Sequence, residues 1–205
     1  ALIGSGLRHT VAASQKAYAG LWNVGALGRS IIDRTRSGGQ PPRSTRTLAD
    51  ERAKEKQMRV AIGCDEAAFD LKEALKAFIT AQGYEVTDFG TFDAKPVLYP
   101  DIAHAVATDV AAGRHDRGVL LCGTGIGMAI TANKVKGIRA AQCHDTYSAQ
   151  RARMSNDAQI ITMGARVIGP ELAKTVLGAF LASEFQGGRS APKVERIIAY
   201  ERGEA

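Results

Sequence analysis

Cys122-Gly123-Thr124-Gly125-Ile126-Gly127 places a thiol, a hydroxyl and alternating glycines in one short run. The apolar stretch Gly118-Val119-Leu120-Leu121 leads into it, and a segment of helical character, 128–134, leads out. Glycines between a strand and a helix let backbone N–H groups converge on an anion. A thiol beside a helix N-terminus ionises more readily than a free one. The run therefore combines an acid–base group with an anion hole. Taken alone, Cys122 also fits a small buried hydrophobe at a strand end, a common place for a free cysteine. Two familiar phosphate motifs do not fit: the dinucleotide fingerprint would need glycine at 128, where the chain has Met128, and no Walker lysine is present.

The elements that must position this loop alternate in period. Apolar β-type runs fall at 59–63, 84–89, 118–121, 138–142 and 159–163. Between and after them lie helical patterns at 67–82, 99–112, 128–134, 147–154, 170–183 and 192–202. The first helix carries Phe69, Leu71, Leu75, Phe78 and Ile79 at helical spacing and stops at Gly83. Repeated β-α units predict an α/β fold of three layers, α/β/α and Rossmann-like, around a mostly parallel five-stranded sheet.

Ligands of such sheets bind beyond the carboxyl ends of the strands. Those ends carry Gly63-Cys64-Asp65-Glu66, Cys122-Gly123-Thr124, Cys143-His144-Asp145 and Gly164-Ala165-Arg166, which are expected to meet at one edge. Asp65 either caps the following helix or meets a ligand, and Glu66 adds a second carboxylate. Tyr99 precedes Pro100 at a helix start. His144 beside Asp145 is an oriented histidine or a strand-end residue next to a cap. Arg166, Arg189 and Lys193 are cations that, with the glycine loop, suggest a phosphate site. The histidines and cysteines have no metal-ligand spacing, so no metal is expected.

The 205 residues suit one ordinary domain with an additional segment. The net charge of +6 resides wholly in residues 1–57, which hold ten Lys+Arg against four Asp+Glu; residues 58–205 hold seventeen of each. A basic extension over 1–57 is thus expected to precede a neutral domain over 58–205. Helices are expected in the extension at 24–32 and 48–57, with a Gly/Pro/Ser-rich linker at 37–44. It loosely resembles an organelle transit peptide, and Met58 offers an alternative translation start. A polyanion could meet the extension, but nucleic acid is not expected as a partner of the domain. No apolar run reaches membrane-spanning length. Three scattered cysteines, Cys64, Cys122 and Cys143, lack a disulfide framework and point to a reducing, cytoplasmic setting.

The ordered strings Val60-Ala61-Ile62-Gly63-Cys64-Asp65, Tyr99-Pro100, the Cys122 to Gly127 run, Ala132-Asn133-Lys134, Gly137-Ile138-Arg139-Ala140, Tyr147-Ser148-Ala149, Asn156-Asp157, Gly164-Ala165-Arg166 and Gly187-Gly188-Arg189 resemble the ribose-5-phosphate isomerase B / galactose-6-phosphate isomerase family. The resemblance covers essentially all of 58–205. It implies a cofactor-free aldose–ketose isomerisation of a sugar phosphate through an enediolate. It implies that Cys122 is the base moving a proton between C1 and C2 and that Thr124 helps proton movement at the sugar oxygens. The amides from Gly123 through Gly125 to Gly127 would then form the oxyanion hole. Asp65 and Asn156 would contact substrate oxygens, and Arg189 and Lys193 the phosphate. Homodimers or homotetramers with sites completed by a neighbouring subunit are implied as well.

Three positions depart from the family's pattern. Glu66, Ser155 and Ser190 stand where the family commonly has histidine, and the histidine before the Asn-Asp pair is credited there with opening the sugar ring. One reading is a ribose 5-phosphate isomerase in which His144 or water opens the ring. Another is a tetrose 4-phosphate isomerase, since that sugar cannot close a furanose. A hexose 6-phosphate substrate, a subunit needing a partner, and a catalytically silent sugar-phosphate-binding protein are the remaining readings.

Overall fold

The structure, a computed structural model, describes residues 57–204. The extension's expected helices and linker lie outside the described residues, save for Gln57. The domain runs β1 (Arg59–Cys64), a 3-10 turn (Glu66–Ala68), α1 (Phe69–Ala81), β2 (Glu85–Asp88), α2 (Tyr99–Ala111), β3 (Arg117–Cys122) and α3 (Ile126–Ala132). It continues with β4 (Ala140–Gln142), α4 (Thr146–Asn156), β5 (Ile160–Gly164), α5 (Pro170–Leu181), a second 3-10 turn (Gly188–Ser190) and α6 (Ala191–Arg202). The sheet order is β2-β1-β3-β5-β4, and every pairing is parallel.

Strand alternation sorts the core into two faces. Val60, Ile62, Val119, Leu121, Ile161 and Met163 pack on one face against α1, α4 and α5. Ala61, Leu120, Cys122 and Ile160 pack on the other against α2 and α3. Each large aliphatic side chain so buried contributes about 1.5–3 kcal/mol. The three-layer α/β/α expectation therefore holds, with Cys122 on the α2–α3 face.

Local chemistry explains where boundaries moved. Asp65 Oδ1 accepts from the Ala67 N–H at 3.1 Å, so the chain first makes a 3-10 turn and α1 starts at Phe69 rather than 67. Asp145 caps α4 through the Ser148 N–H at 2.7 Å, and Asp157 in the left-handed region (φ 47°) ends it at Asn156, beyond the expected 154. β4 is shorter than expected because the Arg139 N–H donates to Gln159 Oε1 at 2.8 Å instead of extending the ladder. α3 starts at Ile126, earlier than the expected 128.

Lys72 is a polar member of α1 that the helical pattern leaves unmarked, yet it is fully buried. Its Nζ donates to both Asp88 oxygens (2.9 and 2.7 Å) and to the Thr91 carbonyl (2.6 Å). Lys76 joins at 2.6 Å. These contacts fasten the end of β2 and the start of the segment leading to α2. Burial pushes the Asp88 carboxyl upward, but its hydrogen bonds from Lys72, Lys76 and the Gly90 N–H outweigh it and hold the group below the usual range. A lowered carboxylate pKa stabilises above the group's ordinary pKa and loses that stabilisation as pH falls through the folded value. Lys72→Met is expected to cost about 3 kcal/mol at neutral pH by taking from Asp88 its buried cation, leaving it only Lys76 and the Gly90 N–H, with the gap from wild type narrowing in acid. Urea unfolding of both proteins as a function of pH measures this, and an equal gap at every pH would contradict it.

Candidate active site

Cys122 closes β3 and is nearly fully buried. The Gly125 N–H turns back and donates to its Sγ at 3.0 Å. The Ile126 N–H donates to Thr124 Oγ1 at 3.3 Å. The amides of Gly123, Thr124 and Gly127 have no protein acceptor among the described residues. The loop thus turns one backbone donor onto the thiol and leaves further donors unspent.

Two positions require glycine for this turn. Gly125 lies at φ 83°, and a Cβ there would fall 2.9 Å from the Met163 carbonyl carbon. At Gly127 a Cβ would fall 2.5 Å from Tyr99 Cζ, so the Tyr99 ring rests directly on the loop. Two residues that sequence reasoning missed brace it from outside. Thr162 Oγ1 donates to the Gly125 carbonyl at 2.9 Å, and Gln142 Nε2 to the Thr124 carbonyl at 2.7 Å. Thr162 had a signal: it is the lone polar residue in the buried run Ile160-Ile161-Thr162-Met163.

The four strand-end segments meet at this edge, as the parallel registers Cys64↔Leu121, Cys122↔Gly164 and Gln142↔Thr162 require. Arg166 donates its N–H to the Gly123 carbonyl at 3.0 Å and lays its side chain beside Gly123, where a Cβ would meet Cδ at 3.5 Å. His144 Nε2 accepts from the Gly164 N–H at 2.9 Å, which leaves the ring proton on Nδ1. His144 is therefore oriented by backbone, not by Asp145, which is the α4 cap. Glu66 Oε2 accepts from the Val97 N–H at 3.2 Å, tying down the segment that delivers Tyr99. Asp65 caps its turn while lying near Glu66 and Arg166; burial first, and then the Glu66 charge, raise its pKa above the ordinary value.

Asn156, Arg189 and Lys193 lie elsewhere. Asn156 ends α4, just before β5 begins. β5 itself separates that end from Gly164 by about 13 Å at the usual rise per residue. Arg189 and Lys193 begin the last helical segment, which is fixed to the same amino edge. Gln186 N–H donates to the Met154 carbonyl at 3.1 Å, Glu184 meets Arg117 at the start of β3, and Glu201 Oε1 accepts from the Gly137 N–H ahead of β4. Both cations are exposed and have no acidic partner among the described residues. Within one chain the residues picked from the sequence thus form two groups at opposite ends of the sheet.

The cysteines are free and buried. Burial pushes the Cys64 thiol up to about 12 and, with the Asp145 charge, the Cys143 thiol to about 11. Iodoacetamide at about pH 8 is expected to alkylate Cys122 ahead of the other two. Peptide mapping checks this, and earlier labelling of Cys64 or Cys143 would contradict it. For Asp65, a raised folded pKa means that ionisation costs stability: the cost is absent below the ordinary carboxylate pKa and complete above the folded one. Asp65→Asn keeps the cap and removes the cost. It is expected to melt no lower than wild type at neutral pH, the difference fading in acid, while kcat/KM drops about tenfold or more through a lost substrate contact. Paired melting curves and kinetics test it; full activity would remove Asp65 from the site.

The Ribose/Galactose Isomerase family model matches residues 60–197. A D-erythrulose-4-phosphate isomerase of Pectobacterium atrosepticum is 58% identical over 149 residues, covering 72% of this chain and 97% of that protein. A ribose-5-P isomerase B of Listeria innocua is 59% identical over 138 residues, covering 67% and 93%. The solved structure of Clostridium thermocellum ribose-5-phosphate isomerase B superposes with a TM-score of 0.70 at 44% identity, covering 72% of this chain and all of that one. The chain belongs to the ribose/galactose isomerase family.

Proposed function

We propose that this member of the ribose/galactose isomerase family interconverts ribose 5-phosphate and ribulose 5-phosphate, with Cys122 as the proton carrier. The observation that carries the proposal is the Cys122 thiol held by the Gly125 N–H inside a loop whose other amides are unspent. In the aldose-to-ketose direction the Cys122 sulfur takes the proton from C2. The C2–H electron pair becomes the C1=C2 bond of an enediolate, and the carbonyl π pair moves onto O1. The unspent amides stabilise that oxygen charge. The O2 proton passes to O1, with the Thr124 hydroxyl helping the transfer, and the sulfur returns its proton to C1 as the C2 carbonyl forms. The opposite edges of the sheet support a site shared between copies in a homodimer or homotetramer. Asn156, Arg189 and Lys193 of one copy then meet the Cys122 loop of the next, where Arg166 already stands, and the cations hold the phosphate. Free cysteines fit a cytoplasmic location, and no described helix is long and apolar enough to cross a membrane.

A second reading, a tetrose 4-phosphate substrate, is favoured by one observation. Two of the three groups standing at family histidine positions are already engaged: Glu66 by the Val97 N–H and Ser155 Oγ by Arg151. His144 Nε2 is occupied too. A sugar that stays open-chain needs no ring-opening group.

A coupled assay on ribose 5-phosphate and erythrulose 4-phosphate, with wild type and Cys122→Ala, separates the readings. Pentose turnover that falls about a thousandfold in the variant is expected. Turnover of the tetrose alone would replace the first reading with the second. Silence on both would overturn the isomerase assignment of these sugars and leave a different sugar phosphate or a binding role.

A further inference from the structure

Arg153 is buried at the amino edge, away from the Cys122 loop. One terminal nitrogen donates to Asp157 Oδ1 at 2.9 Å and to the Ala158 carbonyl at 2.8 Å. The other donates to Glu184 Oε2 at 3.2 Å. Asp157 also receives Arg139 at 2.8 Å, and Arg139 Nε donates to the Asn156 carbonyl at 2.9 Å. Glu184 also receives Arg117 at 3.0 Å. A single buried guanidinium therefore joins the end of α4 that bears Asn156 to the segment that leads to Arg189 and Lys193.

As a device for stability alone this is an expensive choice. Two arginines lie near one another in the interior, and the Nε of Arg117 and of Arg153 have no partner. Apolar side chains of similar size would often stabilise a fold as well or better. What the pair of carboxylates on Arg153 provides is a fixed relation between the core-anchored end of α4 and a segment with little burial of its own: within 183–193 no residue is fully buried.

We propose that Arg153 is a positioning residue. Through Asp157 and Glu184 it sets Asn156, Arg189 and Lys193 in one arrangement, which the protomer presents as a unit to the Cys122 loop of a neighbouring copy. This rests on the reading that the site is shared between copies.

The test uses Arg153→Met and, because that buried change could impair folding, Glu184→Gln at the exposed end of the link. Both are expected to raise KM for the sugar phosphate, with kcat/KM falling up to about a hundredfold from misplacement of binding groups. Each variant is then co-expressed with differently tagged Cys122→Ala subunits, and the doubly tagged hybrid is purified. Its only competent site pairs the variant's Cys122 with an intact amino edge, so KM is expected to return to the wild-type value. A hybrid that keeps the variant's raised KM would overturn the proposal, as would a loss confined to kcat in the parent variants. A Cys122→Ala/Asn156→Ala hybrid is the control. If that pair recovers activity while the Arg153→Met hybrid does not, the link fails but the shared site stands. If the control pair stays inactive, the shared site fails, and this proposal with it.

Discussion

A backbone N–H can turn back onto a thiol at a strand end, as Gly125 does onto Cys122, only where the chain lacks side chains that would keep it away, and this constraint organises the site. Gly125 must enter the left-handed region and pass within contact of the Met163 backbone. Gly127 must leave room for Tyr99. A loop so bare has little packing of its own, so its geometry is imposed by neighbours: Thr162 on one carbonyl, Gln142 on another, and the Tyr99 ring across the top. These braces come from three other elements: Thr162 and Gln142 are placed by strand registers of the parallel sheet, and Tyr99 by the start of α2. The fold's contribution to chemistry is to hold a flexible segment as if it were stiff.

The same sheet separates two tasks. Its carboxyl edge gathers the thiol, the unspent amides, Asp65, His144 and Arg166. Its amino edge gathers Asn156, Arg189 and Lys193 on a scaffold of buried arginine–carboxylate contacts. Parallel strands with returning helices always create these two ends, and among the described residues no loop bridges them. The proposed site, with a base at one end of the sugar and cations at its phosphate, accordingly needs two copies meeting edge to edge. The specificity question has a similar physical form. Glu66 Oε2, Ser155 Oγ and His144 Nε2 are each already engaged, by Val97, Arg151 and Gly164.

Much of this was legible in the residues. The alternation of strand and helix patterns yielded the layered parallel sheet, and glycine spacing after an apolar strand marked the Cys122 loop. Helix starts were visible where a cap or proline announced them, as at Asp145 and Pro170. Three kinds of feature were not. Buried charge such as Lys72 and Arg153 reads as solvated helix surface, because periodicity records where apolar residues fall and is silent on which polar ones find partners. The bracing by Gln142 joins residues distant in sequence and depends on register. Glu66 has the residue type of a ligand contact, and only the course of the segment before α2 revealed its bond to Val97. The separation of Asn156 from Cys122 likewise follows from helix direction, which spacing along the chain does not express.

The central claim is that the Cys122 sulfur moves a proton between adjacent sugar carbons. Its most direct test is incorporation of solvent deuterium during isomerisation in D2O, followed by NMR of the recovered sugar phosphate. The account predicts deuterium at C1 of the ketose formed from unlabelled aldose, at a rate that collapses in Cys122→Ser. Hydrogen transferred from C2 to C1 at full rate in that variant, or without any exchange under conditions of slow turnover, would contradict a cysteine-borne proton and point to a different carrier or a direct hydride shift.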